Sequence, residues 1–117
     1  MTEADLLSAI QLECSRGECR LFRANAGLAW QGEIIQHTKN HLILGHARAI
    51  RLGIPGMSDL IGWSDDDGRA VYTAIEGKIG YRKPTAEQRA FIELVLAAGG
   101  RAGVAYSVEQ AKEILCL

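Results

Sequence analysis

The chain has 117 residues, 48% hydrophobic and 23% charged, with a formal net charge of −1. That length makes one domain, residues 1–117, and the near-neutral charge argues weakly against a passive, sequence-indifferent nucleic-acid coat, and not against an enzyme whose acidic site offsets local basic patches. No apolar run approaches the ~20 residues needed to span a bilayer, no signal-peptide pattern opens the chain, and three cysteines (Cys14, Cys19, Cys116) without a Cys-x-x-Cys pair suit reduced thiols in a cytoplasm.

Residues 3–15 carry Leu6, Leu7, Ile10 and Cys14 at helical spacing, with Thr2 as N-cap and Arg16-Gly17 as the stop. Residues 19–23 read as a short strand. Trp30 through Gln36 and His41 through Ile50 read as two more, in a hairpin turning at Thr38-Lys39-Asn40, and Gly53, Pro55 and Gly56 mark the loop that leads to Asp59. Two apolar runs, residues 60–63 and 70–75, flank Ser64-Asp65-Asp66-Asp67-Gly68, the pattern of a β-hairpin whose turn is those five residues. Pro84-Thr85 opens a helix to about Ala98, with Phe91, Leu94, Val95 and Ala98 as its apolar face and Gly99-Gly100 as its end. Ala102 to Tyr106 reads as a buried strand, and Ser107 caps a last helix running to about Leu115.

The second hairpin returns Asp59 to the neighbourhood of Glu76 and Lys78. Two carboxylates with a cation beside them suit a hard divalent ion and the hydrolysis of a phosphodiester. Asp59 and Glu76 supply ligands, and the Gly77 carbonyl lies between Glu76 and Lys78 as a third. Alternation along a strand points Glu76 and Lys78 the same way, so the ammonium can reach an attacking water or the negative charge of the phosphorane. Glu-x-Lys is also common as a solvent-facing ion pair, and spacing alone does not separate the two readings. Basic patches fall at Arg16, Arg20 and Arg23 and at Lys78, Arg82, Lys83 and Arg89; for most of these a solvated surface position is expected. Asp65-Asp66-Asp67-Gly68 lacks the alternating acids and the later glutamate of a calcium loop. His37 and His41 are four apart without a helix or a following Glu, and Gly99-Gly100-Arg101-Ala102-Gly103 lacks the Gly-Lys-Ser/Thr ending of a phosphate loop. Trp30 and Trp63 are expected as core or interface anchors.

Four stretches carry a family resemblance: Gly56-Met57-Ser58-Asp59-Leu60-Ile61-Gly62-Trp63, Ala74-Ile75-Glu76-Gly77-Lys78, residues 84–92 and residues 98–109. With Leu21-Phe22-Arg23-Ala24-Asn25 upstream, they resemble the virus-type replication-repair nuclease (VRR-NUC) domain of the PD-(D/E)xK superfamily, in its stand-alone phage or prophage form. The resemblance implies an α/β restriction-endonuclease-like core, a central mixed sheet flanked by helices. It implies Asp59 and Glu76 as metal ligands, Lys78 as the catalytic lysine, and Gln88 as the group orienting that lysine or a water. Glu3 matches an acidic position that binds metal directly or through water, with Mg²⁺ or Mn²⁺ as the ion. The partner implied is DNA, four-way junctions above all, met by Arg23, Asn25, Arg82 and Lys83 of a homodimer in the cytoplasm of a bacterial host. A flap- or end-directed nuclease and a catalytically silent DNA-binding module are the alternatives. The chain departs from the family pattern at Ser58, where the proline of the motif stands, at Gly77, where a branched apolar residue is usual, and at Ala24, the first Asn of Arg-Asn-Asn. Glycine at 77 is expected to loosen the strand and leave its inner face unfilled.

Overall fold

Capping residues and apolar spacing account for the helices of the computed structural model, which describes residues 1–117. Helix α1 (Glu3–Cys14) begins in a reciprocal cap: the Asp5 amide donates to Thr2 Oγ1 at 3.1 Å and the Thr2 amide to Asp5 Oδ2 at 2.9 Å. The strands β1 (Arg20–Arg23), β2 (Gly27–His37), β3 (Leu42–Leu52), β4 (Leu60–Asp66) and β5 (Arg69–Gly77) follow, then α2 (Ala86–Ala97), β6 (Arg101–Ala105) and α3 (Val108–Ile114). Thr85 and Ser107 cap the last two helices, each accepting from the amide three residues on.

Four strands form one mixed sheet in the order β1-β4-β5-β6. The β1/β4 and β4/β5 pairs are antiparallel, whereas β5 and β6 run parallel with α2 as the crossover between them. Adjacent strand residues face opposite sides, and this alternation divides the core in two. Leu60 and Ile75 meet Leu6, Leu7, Ile10 and Cys14 of α1 and Ala111 of α3 on one face. Ala74 and Ala102 meet Phe91, Ile92 and Val95 of α2 on the other, with Ile61 packed beside them. Each fully buried large aliphatic contributes on the order of 1.5–3 kcal/mol. The result is a mixed α/β architecture with helices on both faces of the sheet, and no helix is long and apolar enough to cross a membrane.

Three expectations need correction. The β4–β5 turn is not five residues long: β4 continues to Asp66, and only Asp67 (φ 51°) and Gly68 (φ 84°) turn the chain, the two left-handed residues that a tight hairpin demands. The exposed acids of β4 obscure the strand's end in the sequence. Of the two places expected for the tryptophans, core or interface, the core is the one that fails. Trp63 is 40% exposed, its ring tilted against Phe22 at 5.7 Å between centroids, and Trp30 is 60% exposed. Finally, β2 and β3 are longer than expected, 11 residues each, and they form a sheet of their own that packs against no other helix or strand to any extent. The turn at Thr38-Lys39-Asn40 is where it was expected, closed by the Thr38 amide on the His41 carbonyl at 2.9 Å. This arm stretches the molecule to 50 × 31 × 30 Å and its radius of gyration to 16.6 Å, against about 13 Å for a compact chain of this length.

Candidate active site

The site lies where β4 begins and β5 ends. Antiparallel register sets Leu60 opposite Ile75, which brings Asp59, one residue before β4, to the last residues of β5. The Gly77 amide donates to Asp59 Oδ2 at 2.9 Å, and the Asp59 carbonyl accepts from the Ala24 amide at 2.9 Å. The aspartate is thus held between the end of β5 and the segment that leaves β1. Gly56 (φ 82°) brings the preceding loop onto the first turn of α2, so closely that a Cβ there would overlap the Glu87 carbonyl. Gln88 follows directly.

Glu76 is 1% exposed and Lys78 6%. The solvent-facing ion pair left open by the spacing is therefore excluded. Glu76 Oε1 accepts from Gln88 Nε2 at 2.9 Å and lies 3.7 Å from Lys78 Nζ, while Oε2 is buried with no hydrogen-bond partner. Burial and then the neighbouring Asp59 carboxylate push the Glu76 acid up from 4.5 to about 8; Lys78 pulls the other way without prevailing. Gln88 is fixed by its own helix cap, since its Oε1 accepts the Thr85 amide at 2.9 Å and its backbone amide donates to Thr85 Oγ1 at 3.1 Å. The glutamine touches Glu76 and reaches Lys78 only through the oxygen they share.

Gly77 does not leave the inner face of β5 unfilled. A Cβ at 77 would lie 2.5 Å from Leu7 Cδ2, so the leucine of α1 occupies the space a side chain would need. The group of Gly77 in contact with Asp59 is its amide, not its carbonyl. Glu3 does not join the carboxylate pair: its carboxylate meets Arg82 at 3.5 Å, and no trio of His, Cys, Asp or Glu able to hold a metal forms anywhere. Arg23 and Asn25 are exposed on either side of Ala24, hence beside the Asp59 backbone. Arg82 and Lys83 are exposed on the loop between β5 and α2.

Leu7 is the residue of the site that sequence reasoning misses: its only signal is a place on the apolar face of α1, with nothing to show that it packs beside Gly77. Ser58 is fully buried and its hydroxyl has no partner.

The donors fit a hard divalent cation. Asp59 and Glu76 are oxygen ligands, one Glu76 oxygen is buried and unpaired, and the mutual repulsion of the two carboxylates is what a cation between them relieves. Mg²⁺ keeps several waters, so two carboxylates are enough.

Among known families, the model described as the VRR-NUC domain matches residues 3–109. No curated protein and no solved structure matches the chain.

Proposed function

The chain belongs to the VRR-NUC domain family of nucleases, and on that premise we propose that it is a Mg²⁺- or Mn²⁺-dependent DNA endonuclease with a PD-(D/E)xK site. The observation that carries the reading is the buried Glu76 Oε2, unpaired beside Asp59 and backed by Lys78 and Gln88. Asp59 and Glu76 would hold the cation. When bound, it would lower the pKa of an attacking water and neutralise charge on the phosphoryl group. Lys78 presents a fixed ammonium from a water-poor position, where a positive group opposing the charge of the phosphorane is worth most. Gln88 fixes the rotamer of Glu76 and leaves Oε2 free for ligation. A 5′-phosphate product is expected.

We infer further that the enzyme acts as a homodimer on four-way junctions. The arm supports this. It exposes Leu28, Trp30, Ile34, Ile35, Leu42 and Ile43, yet a two-stranded ribbon alone is marginal in water. A second copy would cover those side chains and set two sites on one branched substrate. Sedimentation showing only monomer at micromolar concentration, with junction cleavage intact, would sink the dimer. The setting inferred is the cytoplasm of a bacterial host, with the protein encoded by a phage or prophage. Leu7 fills the space beside Gly77, which supports an intact strand under the site and favours the enzyme over a silent module that only retains the fold.

The test is cleavage of labelled four-way junction, splayed arm, flap, nicked duplex and plain duplex in Mg²⁺, Mn²⁺ or EDTA, beside a Lys78→Met variant. Metal-dependent cleavage that the variant loses supports the site, and the preferred DNA decides between junction and flap or end activity. No cleavage of any substrate by folded protein overturns the enzyme reading.

A further inference from the structure

Between the buried Lys78 and the Thr85 cap, the chain forms a short loop with an aromatic side chain at its tip. Tyr81 is fully exposed, with a relative accessibility of 101%. Single exposed apolar residues are ordinary on protein surfaces. Three features set this one apart. The loop is braced: the Arg82 amide donates to the Ile79 carbonyl at 3.2 Å, the Arg82 carbonyl accepts the Tyr106 hydroxyl at 2.6 Å, and the Arg82 guanidinium pairs with Glu3 at 3.5 Å. Gly80, at φ 60°, makes the turn that throws Tyr81 outward, and Ile79 packs against the core beneath it. The tyrosine is also only three residues from Lys78, so its Cα lies within about 11 Å of the lysine's. That upper limit corresponds to about three base-pair rises along the axis of duplex DNA.

We propose that Tyr81 is a base-stacking residue that reads an unpaired nucleotide within a few steps of the scissile phosphate. This rests on the nuclease reading above and deepens it by naming a group that separates branched or frayed DNA from plain duplex. Both faces of the ring are open, and every base has a face to offer it, so the contact needs no particular sequence. Paired bases are closed to a side chain arriving from outside, whereas a nucleotide at a junction, flap or frayed end can turn onto the ring. The exposed Lys83 stands two residues on, placed to meet the adjacent phosphate, while Arg82 is engaged by Glu3 and serves to brace the loop. The bracing matters because a platform already fixed loses little freedom when the base arrives.

The test uses the full chain in Ca²⁺, which permits binding without turnover, and DNAs carrying 2-aminopurine at the unpaired position or within plain duplex. Wild type, Tyr81→Ala, Tyr81→Phe and Tyr81→Trp are compared. Tyr81→Ala is expected to weaken binding of the branched DNA roughly 5- to 100-fold, to leave duplex binding within about twofold, and to lose the 2-aminopurine quenching. The two aromatic variants should retain both. Equal affinity of Tyr81→Ala and wild type for branched DNA overturns the stacking role alone. A Tyr81→Phe variant as weak as Tyr81→Ala does the same, because it assigns the contact to the hydroxyl. Wild type that binds none of the DNAs overturns this role and the nuclease reading together. Tyr81 packs against nothing, so its substitution does not endanger the fold.

Discussion

Gln88 Nε2 donates to Glu76 Oε1 across 2.9 Å, while the other end of the same amide accepts from Thr85 at the start of α2. One side chain therefore caps a helix and orients a buried carboxylate. Gln88→Ala should lower stability by about 1–3 kcal/mol and reduce cleavage as well. Thr85→Ala loses only cap interactions, about 1 kcal/mol, and should cleave at close to the wild-type rate once folded. Denaturant titrations and single-turnover rates for the pair check this; equal activity losses would show that the helix cap, not the Glu76 contact, is what matters.

Lys78 is more deeply buried than a residue acting from a surface patch, and that alters the expected outcome of removing it. Lys78→Ala opens a cavity as well as deleting the charge, so Lys78→Met, which keeps the stem volume, is the cleaner variant. It should fold, bind DNA with little change and cleave roughly 10²-fold or more slowly. A Lys78→Met protein with wild-type turnover would falsify the role given to the ammonium.

The contact between Gly77 and Leu7 predicts a compensating pair. Gly77→Val restores the branched residue usual in the family but drives it into Leu7, and should destabilise by about 1–3 kcal/mol through overpacking. Leu7→Ala alone should cost about 2–5 kcal/mol from the cavity it leaves. Together they should cost less than the sum, with a coupling of at least about 0.5 kcal/mol, because each relieves the other. Simple additivity of the two, read from urea melts, would mean that Leu7 is not what excludes a side chain at 77.

The acid group of Glu76 sets a pH dependence whose sign reverses with metal. Its folded value of about 8 lies above its ordinary 4.5, so the folded chain holds the proton more tightly than the unfolded one. This contribution to stability is complete below about pH 4.5 and is lost as pH rises through about 8. A divalent cation must displace that proton, so its affinity should climb over the same window. Melting temperatures from about pH 5 to pH 8, with and without Mg²⁺, should diverge as pH rises. Glu76→Gln should flatten the metal-free slope and abolish the divergence. A divergence that survives the substitution would place the cation elsewhere.

The sequence by itself determined the helices and strands of the body, because their signals are local. Thr2, Thr85 and Ser107 cap helices through atoms three residues away, and the periods of the apolar residues distinguish the faces of α1 and α2. It also determined that Asp59, Glu76 and Lys78 converge, since hairpin register follows from chain continuity. Long-range packing decided the rest. Whether Glu76 and Lys78 are surface ions or a buried pair depends on α1 and α2 closing over the two faces of β5, contacts made by residues dozens of positions apart. The tolerance of Gly77 is explained by Leu7, seventy residues earlier, and the pairing of Glu3 with Arg82 joins residues seventy-nine positions apart. The projection of β2 and β3 was hidden for the same reason: their apolar residues read as a hairpin, and only the tertiary structure shows that no other helix or strand packs over it.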